Sequence, residues 1–197
     1  MLANSPKPEF DNAAWVRIKT NLDVKTLFEF CQQVERLFRL NPYLIFNHWQ
    51  QNAKTSITAV WENHSNKKVY QIDTCIELEI KDNEICAKYQ SGVKSETYFI
   101  VEPSGQSADL VIIDRYRSSG NDSLDEVDKS IHAWGKGLHK FFKQYSRLRH
   151  IPYSEYIIDK YWIRLTPMAR RIIYILLVVT AVEIIALVLL VLILANH

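Results

Sequence analysis

Apolar and polar residues alternate along much of the first two-thirds of the chain, and the period of the alternation names the elements. In "AWVRIKT", Val16 and Ile18 alternate with Arg17 and Lys19, which predicts a strand with one wet face. Asn21–Asp23 breaks it, and Asp23 is positioned as a helix N-cap. The period then lengthens. In "DVKTLFEFCQQVERLFRL", Val24, Leu27, Phe28, Cys31, Val34, Leu37 and Phe38 share a helical face, and Asn41-Pro42 ends the run. The pattern also admits a break within this stretch, without placing it.

From Leu44 to Arg117 the period is two. Segments at about 44–50, 55–62, 68–80, 84–90, 95–102 and 108–117 read as six strands. Gln51–Lys54, "NHSNK", Asp82-Asn83, "SGVK" and "PSGQ" separate them. A two-residue turn at Asp82-Asn83 sets Ile80 against Ile85, Leu78 against Ala87 and Ile76 against Tyr89, with Glu77 against Lys88 on the other face. A long helix follows, capped by Asp122 or Ser123, with Asp125, Glu126 and Asp128 in its first turns. Its apolar stripe runs through Leu124, Val127, Ile131, Trp134, Leu138, Phe141, Tyr145 and Leu148, and the helix stops near Ile151-Pro152.

After this helix the pattern changes again. Eighteen of the residues from Ile172 to Ala195 are Leu, Ile or Val. As a helix this run reaches ~36 Å, enough for a ~30 Å hydrocarbon core. Glu183, near its midpoint, costs about 2.5–3.5 kcal/mol, and the apolar residues outweigh it. The other reading is a buried core helix, which a domain of this size has little use for when the run is apolar on every face. Lys160, Arg164, Arg170 and Arg171 precede the run and only Asn196 and His197 follow it, so the positive-inside rule places the preceding domain in the cytoplasm. The opening "MLANSPKPEF" has no apolar h-region. The chain thus divides into a flexible lead (1–12), a domain (13–150), a juxtamembrane linker (151–171) and a single C-terminal transmembrane helix (172–195).

The order of strand, helical segment, six strands and long helix is α+β by the layer rules. It resembles the START-like, or SRPBCC, superfamily, which includes polyketide cyclase-like proteins and has the helix-grip fold. The resemblance covers about residues 13–150. It is carried by "VRIKTNLDVKTLFEFCQQVERLFRLNP" at the front and "SIHAWGKGLHKFFKQYSRL" at the back, through element order and stripe pattern rather than a signature motif. It implies a curved antiparallel seven-stranded sheet around the long last helix. It also implies a cavity between them for a lipid, sterol, isoprenoid, quinone or other apolar ligand. No catalytic residue carries over, since no catalytic motif is present to match.

Within that frame Tyr70, Ile72, Thr74, Ile76 and Leu78 share one strand face and join Ile85, Ala87 and Tyr89. With His48, Trp134 and Leu138 they line either a ligand cavity or a solid core. Gly135 and Gly137, beside Trp134, mark either a hinge that gates a portal or a close backbone contact with the sheet. Lys136, Lys140, Lys143 and Arg147 repeat at helical spacing. With Arg170 and Arg171 they either face anionic headgroups or form a solvated face. Alternation puts Asp114 and Tyr116 on one face of the last strand, and Arg115 and Arg117 on the other. Whichever is buried needs a partner.

Glu183 shares a helical face with Thr180, which suits an intramembrane contact with another span, in a homo-oligomer or in a larger membrane protein. The other reading is a neutral Glu tolerated by a generic anchor. A net charge of +2 from 24 basic and 22 acidic residues argues against nucleic acid as a partner. Cys31, Cys75 and Cys86 are an odd number without metal-type spacing and suit reduced thiols, so no metal or cofactor is expected. Nucleophile-elbow, zinc-protease and nucleotide-binding loop motifs are absent.

The functional expectation is a membrane-tethered module that binds an apolar ligand and transfers or presents it at the cytoplasmic membrane face. The alternative is an accessory or assembly subunit of an integral-membrane complex, docking through the domain. A cyclase- or hydrolase-like enzyme on the same fold is the third.

Overall fold

Asp82, with φ of 42°, turns the chain between two strands whose pairing follows the expected register. Strands β4 (Tyr70–Lys81) and β5 (Glu84–Tyr89) set Ile80 opposite Ile85, Leu78 opposite Ala87 and Ile76 opposite Tyr89. Glu77 lies opposite Lys88, although the ammonium closes diagonally on Glu79 at 2.5 Å. The computed structural model describes residues 12–117 and 130–195. Its other strands are β1 (Ala13–Lys19), β2 (Leu44–Ala53), β3 (Ser56–Asn63), β6 (Lys94–Ser104) and β7 (Ser107–Tyr116).

All seven strands form one antiparallel sheet in the order β1-β7-β6-β5-β4-β3-β2. The last six make a meander. Strand β1 closes the far edge against β7, so the segment after β1 must cross the whole concave face to start β2. Helices α1 (Val24–Cys31) and α2 (Val34–Arg39) make that crossing. Asp23 caps α1, accepting a 2.9 Å bond from the Thr26 amide. The break falls at Gln32-Gln33, where Gln33 leaves helical geometry with ψ of 71°. Each short helix then aims its own apolar face inward. As a result Phe30 is buried where the continuous stripe gave Phe28, which is only partly covered.

Helix α3 (Ile131–Leu148) lies along the concave face, and the chain has the helix-grip architecture: α+β, with a curved seven-stranded sheet around a long helix. Ile131, Trp134, Leu138, Phe141 and Tyr145 of the expected stripe are buried, whereas Leu148 is 40% exposed and Phe142 is fully covered instead. The expected caps Asp122 and Ser123, the acidic first turns, Leu124 and Val127 lie outside the described residues. A side chain at Gly135 would put its Cβ 2.5 Å from Val16 Cγ2. The glycine therefore allows α3 to touch β1, which is the close-contact reading rather than the hinge.

Beyond α3 the chain stays on the domain. Helix α4 (Ser154–Ile157) and a π-helical turn (Ile158–Trp162) bring Ile158 and Ile163 into the core. Asp159 meets Arg36 at 2.5 Å, and the Tyr145 hydroxyl donates to Glu155 at 3.0 Å. Helix α5 (Pro167–Ala195) then leaves with no buried residue. It is long and apolar enough to cross a membrane.

Candidate ligand site

The concave face is filled unevenly. At its middle Phe38 stacks on Trp134 at 5.6 Å between centroids, and Phe99 meets both rings edge-on at 5.7 and 5.8 Å. The Trp134 indole N–H donates to the Leu37 carbonyl at 2.8 Å, so this large side chain is buried without an orphaned donor. Towards α1, Phe30 packs with Phe141, Phe142 and Tyr145 at 5.2–5.5 Å. These two regions belong to the packed core.

Towards Trp61 and Tyr89 the rings are more loosely placed, with Tyr89 6.4 Å from both Phe38 and Trp61. A cavity of about 300 Å³ lies between Phe38, Leu44, Trp61, Tyr70, Ile72 and Tyr89, bounded by the β5–β6 loop at Ser91, Gly92 and Val93 and by Lys94 at the start of β6. This volume is at the lower end of small-molecule sites, about ten times a water's share of the liquid. Gly92 adopts φ of +95°, and its missing Cβ would stand 3.6 Å from Ile72 Cγ2. A residue with a side chain is strained there by the positive φ, while its Cβ would make only an ordinary contact with the cavity wall.

One end of the cavity is polar and built. Lys94 Nζ meets Asp114 Oδ2 at 2.7 Å, and Thr97 Oγ1 donates to Asp114 Oδ1 at 2.6 Å. Thr97 gives its only proton to the carboxylate, so the Tyr89 hydroxyl, 2.8 Å away, donates to Thr97. Asp114 and Thr97 are wholly buried. The chain Tyr89–Thr97–Asp114–Lys94 thus neutralises a buried charge beside the cavity, where Tyr89 and Lys94 are lining residues and the Lys94 ammonium also lies over the Trp134 ring, 5.8 Å from its centroid. Strand β7 turns Asp114 inward and Arg115 outward, where Arg115 pairs with Glu96 at 2.8 Å. Lys94 is the partner that the buried carboxylate required. The sequence hid it inside a separator that reads only as a turn.

Of the residues expected to line a cavity, Tyr70, Ile72 and Tyr89 do so. Ile76, Trp134 and Leu138 are in the packed interior. Leu78 borders a separate, polar cleft beside Arg36 and Asp159. Thr74 is buried, but its hydroxyl accepts from the Ser91 amide at 3.0 Å and so secures the β5–β6 loop rather than facing the cavity. His48 corrects the expectation outright: it is exposed. A bulge between Phe46 and His48 shifts the register by one, so Trp49 takes the inward place behind Phe46. Pattern reading missed Lys94, Thr97, Trp61 and Phe38 as parts of this site.

Among the thiols, burial pushes Cys31 well above the ordinary thiol range and Cys86 up to about 11, so both are inert. Asn63, in one of two N-x-S matches, is 4% exposed and accepts from the Ser65 amide, which makes it a poor glycan acceptor. No cluster fit to hold a metal ion occurs among the described residues.

Lys136, Lys140, Lys143 and Arg147 all lie on the exposed side of α3. Arg171 is exposed as well, whereas Arg170 is partly buried and donates to the Arg39 carbonyl at 2.6 Å. Thr180 and Glu183 are exposed on α5.

Solved structures similar to this chain include START-superfamily and polyketide cyclase-like proteins. A protein of Deinococcus radiodurans is 9% identical, with 68% of this chain and 96% of that one covered and a TM-score of 0.49. A START superfamily protein from Mycobacterium smegmatis is 12% identical over 67% and 96%, with a TM-score of 0.47. The di-domain ARO/CYC BexL from the BE-7585A biosynthetic pathway is 17% identical over 71% and 48%, with a TM-score of 0.49. No family model and no curated protein matches the chain. The fold itself stands on the strand order and helix placement of this chain.

Proposed function

We propose that the chain is a membrane-tethered binding module for an apolar molecule with one polar end, held in the cavity beside Phe38 and transferred or presented at the cytoplasmic face. The observation that carries this reading is the cavity itself. It is a largely apolar space beside the packed core, with a hydrogen-bonded Tyr89–Thr97–Asp114–Lys94 network next to it to orient a guest. Ligands that fit are a lipid, sterol, isoprenoid or quinone that inserts part of its apolar body. Whole engulfment of a large one exceeds about 300 Å³. Helix α5 supplies the tether, with Lys160, Arg164, Arg170 and Arg171 on the cytoplasmic side.

A second reading is favoured by one observation. The segment before α5 is bound to the domain through Ile158, Ile163 and the Arg36–Asp159 pair, so the domain and the head of the span form one piece. Such a piece suits an assembly subunit that presents a fixed face, with Glu183 and Thr180 as its contact inside the membrane.

Photocrosslinking separates the two. Benzoylphenylalanine placed at Tyr70 in the full chain, irradiated in membranes, is expected to add the mass of a small apolar molecule to the peptide that carries it. A crosslink at Tyr70 to another protein, with no small-molecule adduct, rejects the cavity reading in favour of assembly.

A further inference from the structure

A second hollow, of about 450 Å³, lies where α5 leaves the domain, and its walls belong partly to the domain and partly to the span. Leu40 and Pro42 come from the corner between α2 and β2, Lys140 and Phe141 from α3, and Arg171 and Tyr174 from the first turns of α5. The glycine at 137 shapes its floor. A Cβ there would stand 3.3 Å from the Leu40 carbonyl, so the small residue brings α3 against the corner.

Two features of this hollow point to one kind of occupant. The first is charge. Its lining includes Lys140, Arg170 and Arg171 and no acidic residue. Arg170 is tied to the Arg39 carbonyl, but Lys140 and Arg171 make no ion pair among the described residues. Lys140 instead rests over the Tyr174 ring, 5.7 Å from its centroid. The larger cleft beside α2 differs: Arg36 is paired with Asp159 and Arg39 with Glu35, at 2.5 and 2.7 Å. The second feature is depth. Tyr174 and Ile175 line the hollow and also belong to the apolar run that starts at Ile172. The hollow therefore sits at the level of the headgroups and the first acyl carbons, where a tyrosine belt is expected.

We propose that this groove is a site for one anionic phospholipid of the bilayer that α5 spans. Lys140 and Arg171 hold the phosphate, and Leu40, Pro42, Phe141 and Tyr174 cover the start of the acyl chains. This rests on the reading of α5 as a membrane span and is independent of the cavity beside Phe38. It narrows the basic stripe of α3: Lys140 binds, while Lys136, Lys143 and Arg147 lie outside the groove lining and add only diffuse attraction.

The test uses the full chain in nanodiscs of phosphatidylcholine with one-fifth phosphatidylglycerol. Native mass spectrometry reads the lipids retained on release. Wild type is expected to keep one phosphatidylglycerol in preference to phosphatidylcholine. The double variant Lys140→Gln, Arg171→Gln is expected to lose that preference by about 25-fold, from two headgroup cations of ordinary strength. The control Lys143→Gln, Arg147→Gln, on the same helix, keeps it. Equal loss in both variants, or none in the first, overturns the site. A chain that stays out of nanodiscs and remains soluble without detergent overturns the span reading instead. Displacement of the lipid by millimolar inorganic phosphate shows a free-anion site and also overturns the lipid assignment.

Discussion

Phe38 packs ring to ring with Trp134 and Phe99 and is also part of the wall of an open cavity. The same contrast runs along β4, where Ile76 and Ile72 point to the same face four residues apart. Ile76 is fully buried, and Ile72 is partly exposed at the cavity wall. The packed end is filled by ring contacts, and the buried Trp134 indole N–H there has the Leu37 carbonyl as its acceptor. The hollow end keeps its apolar wall but trades packing for a buried ion pair. One sheet therefore supplies both stability and a site, and the division falls at the bulky side chain that α2 inserts between them.

If that division is real, substitutions on one β4 face must differ in kind. Ile76→Ala, which opens a void in close-packed protein, is expected to cost about 4 kcal/mol. The measurement is thermal unfolding of the full chain in detergent, followed by near-ultraviolet circular dichroism. Asp114→Asn leaves the Lys94 ammonium without its counter-charge and is expected to cost about 3 kcal/mol by the same measurement. Ile72→Ala only enlarges a space that already exists, and about 1 kcal/mol is expected. Equal losses at Ile72 and Ile76 would erase the contrast.

The smallest expected effect concerns the docked segment before α5. Burial raises the Asp159 carboxyl above its ordinary value, outweighing the nearby Arg36 guanidinium. A carboxyl raised on folding contributes stability that is fully present below the ordinary carboxylate range and is lost as pH rises through its folded value. Wild type should therefore gain on Asp159→Asn as pH falls through that window, and parallel pH profiles of unfolding would contradict it.

The strands were legible because a period of two survives wherever one face is wet, and the Glu77–Lys88 pairing set a register that β4 and β5 adopt. The break at Gln32-Gln33 was not placed, because the apolar spacing runs through it undisturbed. His48 misled for a different reason: a bulge adds one residue to a strand without changing its composition. Ile72, Tyr70 and Tyr89 could be read from alternation, whereas the Lys94–Asp114 pair joins the first residue of β6, which reads as part of a turn, to a residue of β7 twenty positions on. Gly137 was visible as an anomaly in a helix, and only the Leu40 carbonyl beside it explains why.

Native mass spectrometry of the full chain, extracted in mild detergent from the membranes in which it is made, tests the hollow end most directly when wild type is set beside Ile72→Trp. The cavity reading predicts a small apolar adduct on wild type that is missing from the tryptophan variant, whose side chain fills the space. A wild-type chain with no adduct, or a variant that keeps it, would contradict the account.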